Sequence, residues 1–292
     1  MAYQTNLPRP HYTANQWLVQ AKTNTYPYIY LSPHLDDAVL SCGGRIWQQT
    51  RTGERVLVVT TFAAAPAPDA PLSPFAQGLH ARWGHLANAA VRRQEEDLAA
   101  LALLGAEAVH WPYADCIYRW TSDGHFPYAD EAALWGEVHP AEEGLVAELA
   151  ARIAALPSGI GDEGGRTYLP GPVVYVPLGI GHHVDHQIVR RAAADALASA
   201  ACGRASVHYE DYPYAEDPRV VQVALESKAM QWQAELAPLT EEALEAKVAA
   251  IACYRSQLGT FWASPAEMAM AIRAFAGRTG GGRPAERYWR FR

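Results

Sequence analysis

At 292 residues and 50% hydrophobic composition, the chain is long enough to build a sizeable α/β core. A formal net charge of -7 gives no basic footprint for nucleic acid or an anionic membrane, so a small neutral or cationic partner fits better. No apolar run reaches signal-peptide or membrane-span length, and Cys42, Cys116, Cys202 and Cys253 lack CxxC spacing. A cytoplasmic protein with reduced thiols and no membrane insertion is therefore expected, and a homo-oligomer stays open.

In chain order, Met1 to Thr25 is polar, with one short helix expected at Asn15 to Ala21. Tyr28 to Leu31 reads as a buried strand, and Ser32-Pro33-His34-Leu35-Asp36-Asp37 as the turn out of it. A helix follows to about Thr52, closed by Gly53, and the chain returns as a strand over Arg55 to Phe62. Strand, helix and strand within so short a span form a βαβ unit, which implies a parallel sheet with sites at the carboxyl ends of its strands. His34 and Asp37, three apart at a helix start, share a face and can grip one cation, while Asp36 stays free to act on a bound water. An Asp pair at a helix start is more often only a cap and dipole partner, so this turn needs a partner further along.

Ala63 to Gly84 reads as a long loop beside the site, and Asn88 to Gly105 as a helix with Val91, Leu98 and Leu101 inward. The charges on that helix, Arg92, Arg93, Glu95, Glu96 and Asp97, read by themselves as a solvated face. Ala108 to Trp111 is a third strand with Asp115 just past its end, and Tyr118 to Pro140 an irregular aromatic insertion. A helix over Glu142 to Leu156 leads into the Gly-rich stretch Ser158 to Pro172, which carries no phosphate-cradling pattern. The strand Val173 to Pro177 is followed by His182-His183-Val184-Asp185-His186, which opens a helix through Ala200. This second strand-to-helix turn is the partner that the first required, and adjacent strand ends would bring His183 or His186 to the same cation.

Beyond it the sequence predicts a strand over Ser206 to Asp211, then helices at Val223 to Leu236, Glu241 to Gln257 and Pro265 to Gly277, and an aromatic, basic tail. No repeat or linker divides the chain, so residues 1–292 are expected to form a single domain with a C-terminal helical elaboration.

With both motifs in view, the chain resembles the PIG-L or LmbE-like family of zinc-dependent N-deacetylases. The family's His-Pro-Asp-Asp-Glu turn has its counterpart in His34-Leu35-Asp36-Asp37-Ala38, and its His-x-Asp-His signature in His183-Val184-Asp185-His186. Arg93-Gln94-Glu95-Glu96 with Leu104-Gly105 is similar to the family's arginine-bearing helix, and Asp115 matches an acidic position after the third strand. The resemblance implies a Rossmann-like, mostly parallel sheet flanked by helices, with long loops around the site. It implies a Zn2+ cofactor held by His34, Asp37 and His186, with Asp36 as general base. His183, oriented by Asp185, would stabilise the oxyanion or protonate the leaving amine, and Arg93 and Asp115 would hold hydroxyls of an amino-sugar substrate.

Three departures stand out: Leu35 for proline, Ala38 for glutamate, and Gly181 where some relatives carry tyrosine. The expected activity is removal of an N-acyl, chiefly N-acetyl, group from an amino sugar such as an N-acetylglucosamine conjugate. The competing readings are a metal-dependent hydrolase of a non-sugar amide and a non-catalytic Rossmann-like sugar- or nucleotide-binding protein.

Overall fold

A computed structural model describes residues 26–67, 69–83, 89–156, 171–198, 204–226 and 231–291. The expected βαβ unit is present as β1 (Tyr28–Ser32), α1 (Asp37–Arg51) and β2 (Val56–Thr60). The chain continues through α2 (Pro74–Arg82), α3 (Ala89–Leu104), β3 (Glu107–His110), α4 (Glu131–Leu134), α5 (Glu143–Ala154), β4 (Val173–Pro177) and α6 (Val184–Leu197). It closes with β5 (Ala205–Tyr209), α7 (Pro218–Leu225), β6 (Trp232–Pro238), α8 (Glu241–Ile251), α9 (Arg255–Phe261), α10 (Pro265–Thr279) and β7 (Ala285–Phe291).

The seven strands make one sheet in the order β3-β2-β1-β4-β5-β7-β6. The first five run parallel, while β7 pairs antiparallel with both β5 and β6. Continuous apolar runs suit such central strands, because helices cover both faces. Along β1 the alternation assigns the layers: Tyr30 faces a core shared with α1, α3, α8 and α10, while Ile29 and Leu31 face one shared with α5 and α6. Strand order reverses between β1 and β4, and ligands in open α/β sheets sit outside the carboxyl ends at such a switch point. Both His/Asp motifs leave from these two strands.

Five expectations need correction. The loop expected over Ala63 to Gly84 contains α2, started by Pro74 and capped by Ser73, whose hydroxyl accepts the Ala76 N–H at 3.1 Å. On α3, Val91 and Leu98 are exposed, whereas Glu96 and Asp97 are buried. The charges turn inward because partners wait there: Asp97 accepts the Tyr254 hydroxyl at 2.7 Å, and Glu96 accepts that of Ser256 at 2.6 Å. The helix expected over Val223 to Leu236 ends at Leu225, and Trp232 starts β6 instead. The tail is β7, which pairs with β6 along its whole length; this partner lies too far along the chain for local periodicity to show.

The helix expected over Glu241 to Gln257 is divided into α8 and α9. The helix expected at Asn15 to Ala21, most of the Gly-rich stretch and the expected extension of α6 to Ala200 lie outside the described residues. Among the described residues, no helix is long and apolar enough to cross a membrane.

Candidate active site

The first turn is braced by Ser32, the last residue of β1. Its hydroxyl donates to the His34 carbonyl at 2.7 Å and accepts the Ala38 N–H at 3.0 Å, so Leu35 and Ala38 can be simple buried apolar residues. Asp37 Oδ2 accepts the His34 N–H at 2.8 Å. Between them Asp36 stands at φ 131°, ψ -34°, a conformation that costs a non-glycine residue about 1–3 kcal/mol and persists only where its surroundings enforce it.

Because β1 and β4 are paired neighbours, the two turns meet. His34 Nδ1 lies 3.2 Å from Asp37 Oδ2, and His186 Nε2 lies 3.2 Å from the same oxygen. Each ring is held from behind by another carboxylate: His34 Nε2 to Asp185 Oδ2 at 2.9 Å, and His186 Nδ1 to Asp211 Oδ1 at 2.7 Å. With those nitrogens donating to carboxylates, His34 Nδ1 and His186 Nε2 are the nitrogens that converge on Asp37 and are free to bind a cation in the neutral rings. The buried His186 Nε2 has no hydrogen-bond partner.

An orphaned imidazole nitrogen facing a carboxylate oxygen, with the far nitrogen on a second carboxylate, is the arrangement a metal ligand takes, and these residues fit a cation. The same geometry concentrates protons. Burial works to lower the pKa of His186, but Asp37 and Asp211 outweigh it and lift it to about 9. Burial works to raise that of Asp37, yet His186 and His34 hold it well below the carboxylate range. A cation binding here would displace protons.

His183 brings a third ring nitrogen within 4.8 Å of one from each of His34 and His186. Its Nδ1 accepts the Asp185 backbone N–H at 3.2 Å, which leaves the proton on Nε2. Burial, then neighbouring His34, pushes the His183 pKa well below 6.5, so the ring is a neutral donor. The Asp185 carboxylate, which keeps an oxygen within 4.8 Å of a His183 ring nitrogen, hydrogen-bonds to other groups. It takes His34, the Cys116 N–H at 3.0 Å and the Arg119 guanidinium at 2.6 Å. Arg119 is itself buried and reaches Glu142 at 2.5 Å. Burial works to raise the Asp185 pKa, but Arg119 and then His34 hold it far below the usual carboxylate range.

Arg93 lies between the remaining two carboxylates, 3.9 Å from Asp36 Oδ2 and 3.9 Å from Asp115 Oδ2, with its guanidinium over the Trp83 ring at 5.2 Å. Asp115 Oδ2 stands 3.8 Å from His34 Nε2. Burial, then Asp37, raises the pKa of Asp36 to about 7 against the pull of Arg93. All eight sequence-predicted site residues thus share one cluster.

Sequence reasoning missed Asp211, Arg119, Trp135 and Tyr214. Asp211 carried a usable signal, since like Asp115 it is an acid just past a strand end. The Trp135 ring lies 5.1 Å from His183, and the Tyr214 ring 5.3 Å from Trp135 and 5.9 Å from His186.

Residues 29–197, more than half of the chain, match the family described as PIG-L: GlcNAc-PI de-N-acetylase. The chain belongs to the PIG-L family. The match ends with the last residue of α6, so it includes both His/Asp turns. Among solved structures, the zinc inhibited form of teicoplanin deacetylase Orf2 superposes with a TM-score of 0.72 at 30% identity, covering 91% of this chain and 97% of that one. The A40926 pseudoaglycone deacetylase Dbv21 follows with a TM-score of 0.69 at 28% identity, covering 92% and 98%. A 2'-N-acetylparomamine deacetylase of Streptomyces fradiae is 31% identical over 200 residues, which are 67% of this chain and 60% of that protein. The chain therefore spans about three fifths of that curated relative's length.

Proposed function

We propose that this PIG-L family member is a zinc-dependent N-deacetylase that hydrolyses the acetamide of an N-acetylated amino sugar, and that its chain works as one domain. The observation that carries the reading is the convergence of His34 Nδ1 and His186 Nε2 on Asp37 Oδ2, each ring backed by its own carboxylate, with Asp36 alongside. In this reading His34, Asp37 and His186 hold the ion, and Asp185 and Asp211 fix the two rings. Zinc bound there would supply Lewis acidity to water and to the amide carbonyl.

The chain's own groups do the rest. Asp36 accepts a proton from the attacking water as the carbon–oxygen bond forms. His183 Nε2–H donates to the carbonyl oxygen as negative charge gathers there. Asp36 then returns the proton to the nitrogen as the carbon–nitrogen bond breaks, leaving acetate and a free amine. Arg93 and Asp115 hold sugar hydroxyls beside it. The amino-sugar substrate is supported by the likeness to the 2'-N-acetylparomamine and teicoplanin deacetylases.

Purified protein is expected to carry about one zinc per chain. It should release acetate from N-acetylglucosaminides and lose that activity on chelation. Equal activity in metal-free protein would overturn the reading, and a panel of non-sugar amides run beside the sugars tests the substrate class.

A further inference from the structure

Lys247 of α8 and Glu286 of β7 form a buried ion pair that the steps above leave unused, with Nζ 2.7 Å from Oε1. Both side chains close on the backbone of α1. Glu286 accepts the N–H of Gly44 at Oε1 and that of Arg45 at Oε2, each at 3.0 Å. Lys247 Nζ donates to the Ser41 carbonyl at 3.0 Å. A regular helix pairs the Arg45 N–H with that same carbonyl, so the ion pair engages both ends of one rung inside α1. Two glycines admit it: a Cβ on Gly43 would lie 3.2 Å from Lys247 Cγ, and one on Gly44 3.1 Å from Glu286 Oε1. The Tyr288 hydroxyl donates to Glu286 Oε2 at 2.8 Å.

Ser41 also ties the two metal-site turns together. It stands one turn past Asp37, and its hydroxyl accepts the Tyr212 N–H at 3.1 Å. Tyr212 follows Asp211, the carboxylate that holds His186. In the preceding turn the Leu40 N–H returns to the Asp36 carbonyl at 2.8 Å, at the residue whose φ of 131° its surroundings must enforce. Lys247 and Glu286 themselves lie beyond residues 29–197, the part that matches the family.

We propose that Lys247 and Glu286 are positioning residues: by gripping α1 at Ser41, Gly44 and Arg45, they set where Asp36 and Asp37 stand relative to His186. The inference rests on the deacetylase reading. A buried ion pair gains little net stability over apolar residues of the same volume, and its best-attested use is to fix a register. Here that register is the axial placement of α1 against α8 and β7, because the pair grips backbone groups of the helix. The C-terminal elaboration then takes part in the working site without supplying an expected ligand.

The test is the double variant Lys247→Met/Glu286→Gln, which removes both charges at nearly constant volume and strands neither. At saturating zinc, kcat on an N-acetylglucosaminide is expected to fall about 100-fold, the usual scale of a misplacement of about 1 Å. KM should stay nearly unchanged, because Arg93 and Asp115 lie off α1. Zinc affinity, read by chelator competition, should fall with kcat. Gly43→Ala is the second variant: it keeps both charges and improves helix propensity, yet its Cβ presses on Lys247, so kcat should fall by a smaller factor in a protein that stays folded. Leu149→Ala, in the core on the opposite face of the sheet, lowers stability without touching the pair and should keep the parent's kcat per folded molecule. Parent-like kcat and zinc affinity in the double variant, or in Gly43→Ala should the double variant not fold, would overturn the proposal and leave deacetylation intact. A parent protein that binds no zinc would overturn the deacetylase reading and this inference with it. One that binds zinc without hydrolysing the amide would overturn the substrate alone, and zinc affinity in the variants then decides the role of the pair.

Discussion

Asp211 holds His186 through a 2.7 Å hydrogen bond to Nδ1, and that contact decides that Nε2 is the nitrogen that faces Asp37 and can offer a lone pair once a cation displaces its proton. The same carboxylate accepts the Ile180 N–H at 2.9 Å, which ties the loop after β4 to the end of β5. Carboxylates that orient metal-bound histidines typically contribute about 10–100-fold in metal affinity. Asp211→Asn is accordingly expected to weaken zinc binding by about that factor. Competition with a chromophoric chelator measures it, and unaltered affinity would remove Asp211 from the metal site.

Asp36 should separate from the ligands. Its carboxylate is placed beside the trio, and the three expected ligands need nothing from it. Asp36→Asn should keep zinc and lose about 10²–10⁴-fold in kcat, the usual worth of a positioned base. Metal analysis beside steady-state kinetics checks both halves. A variant that lost zinc in step with activity would show that Asp36 supports the site and does not move the proton.

Arg119 is a buried cation between two buried carboxylates, Asp185 and Glu142. Removing one partner of such a network strands the others, at a cost of about 3–5 kcal/mol. Arg119→Met should lose about that much unfolding free energy in denaturant titration. Arg119→Lys should keep the charge without the planar fork and recover only part of it. The metal should also bind more weakly in both, because Asp185 backs His34. Zinc affinity equal to the parent's in Arg119→Met would confine the residue to a structural role.

What the sequence made legible follows the range of the interactions. β1, α1, β2 and β4 carry their own apolar periodicity, and both strand-to-helix turns could be placed from it. The inward face of α3 was misjudged because Glu96 and Asp97 find their partners in Ser256 and Tyr254, far along the chain. β6 and β7 were missed for the same reason, as each is the other's partner. The eight named site residues all reached one cluster, since motif spacing at strand ends reports backbone position well. Which carboxylate backs which ring is a matter of side-chain packing, so the Asp185 carboxylate hydrogen-bonds His34 while its backbone N–H holds His183, and Asp211 was not singled out.

His208 on β5 offers a test of that missed edge. Its ring lies edge-on to Trp232 of β6 and Phe291 of β7, with centroids 5.0 Å away in each case. Burial, then the Arg190 charge, pushes its pKa down to about 3. The unfolded chain therefore binds a proton below about pH 6.5 that the folded chain refuses until about pH 3. Across that window stability falls with falling pH by ~1.4 kcal/mol per unit from this residue. His208→Phe should show a shallower loss between pH 6 and pH 4 in urea unfolding. A slope identical to the parent's would mean that other groups set the acid limb.

Gly181 stands just ahead of the second His/Asp turn, and the structure gives a reason why a side chain is refused there. Its φ is +86°, and a Cβ there would lie 2.7 Å from Cγ of Tyr214. Tyr214 can approach His186 and Trp135 only because Gly181 leaves that space open. Gly181→Ala combines left-handed backbone strain with an overlap against a packed ring, so a loss of about 1–3 kcal/mol is expected in thermal or denaturant unfolding. Because the ring it displaces borders His186, kcat should fall further than the folded fraction explains. In a double-mutant cycle, Gly181→Ala should cost less in a Tyr214→Ala background than in the parent, because the overlap is gone and only the strain of the backbone is left. An equal cost in both backgrounds would show that the backbone conformation, and not the contact with Tyr214, is what requires glycine here.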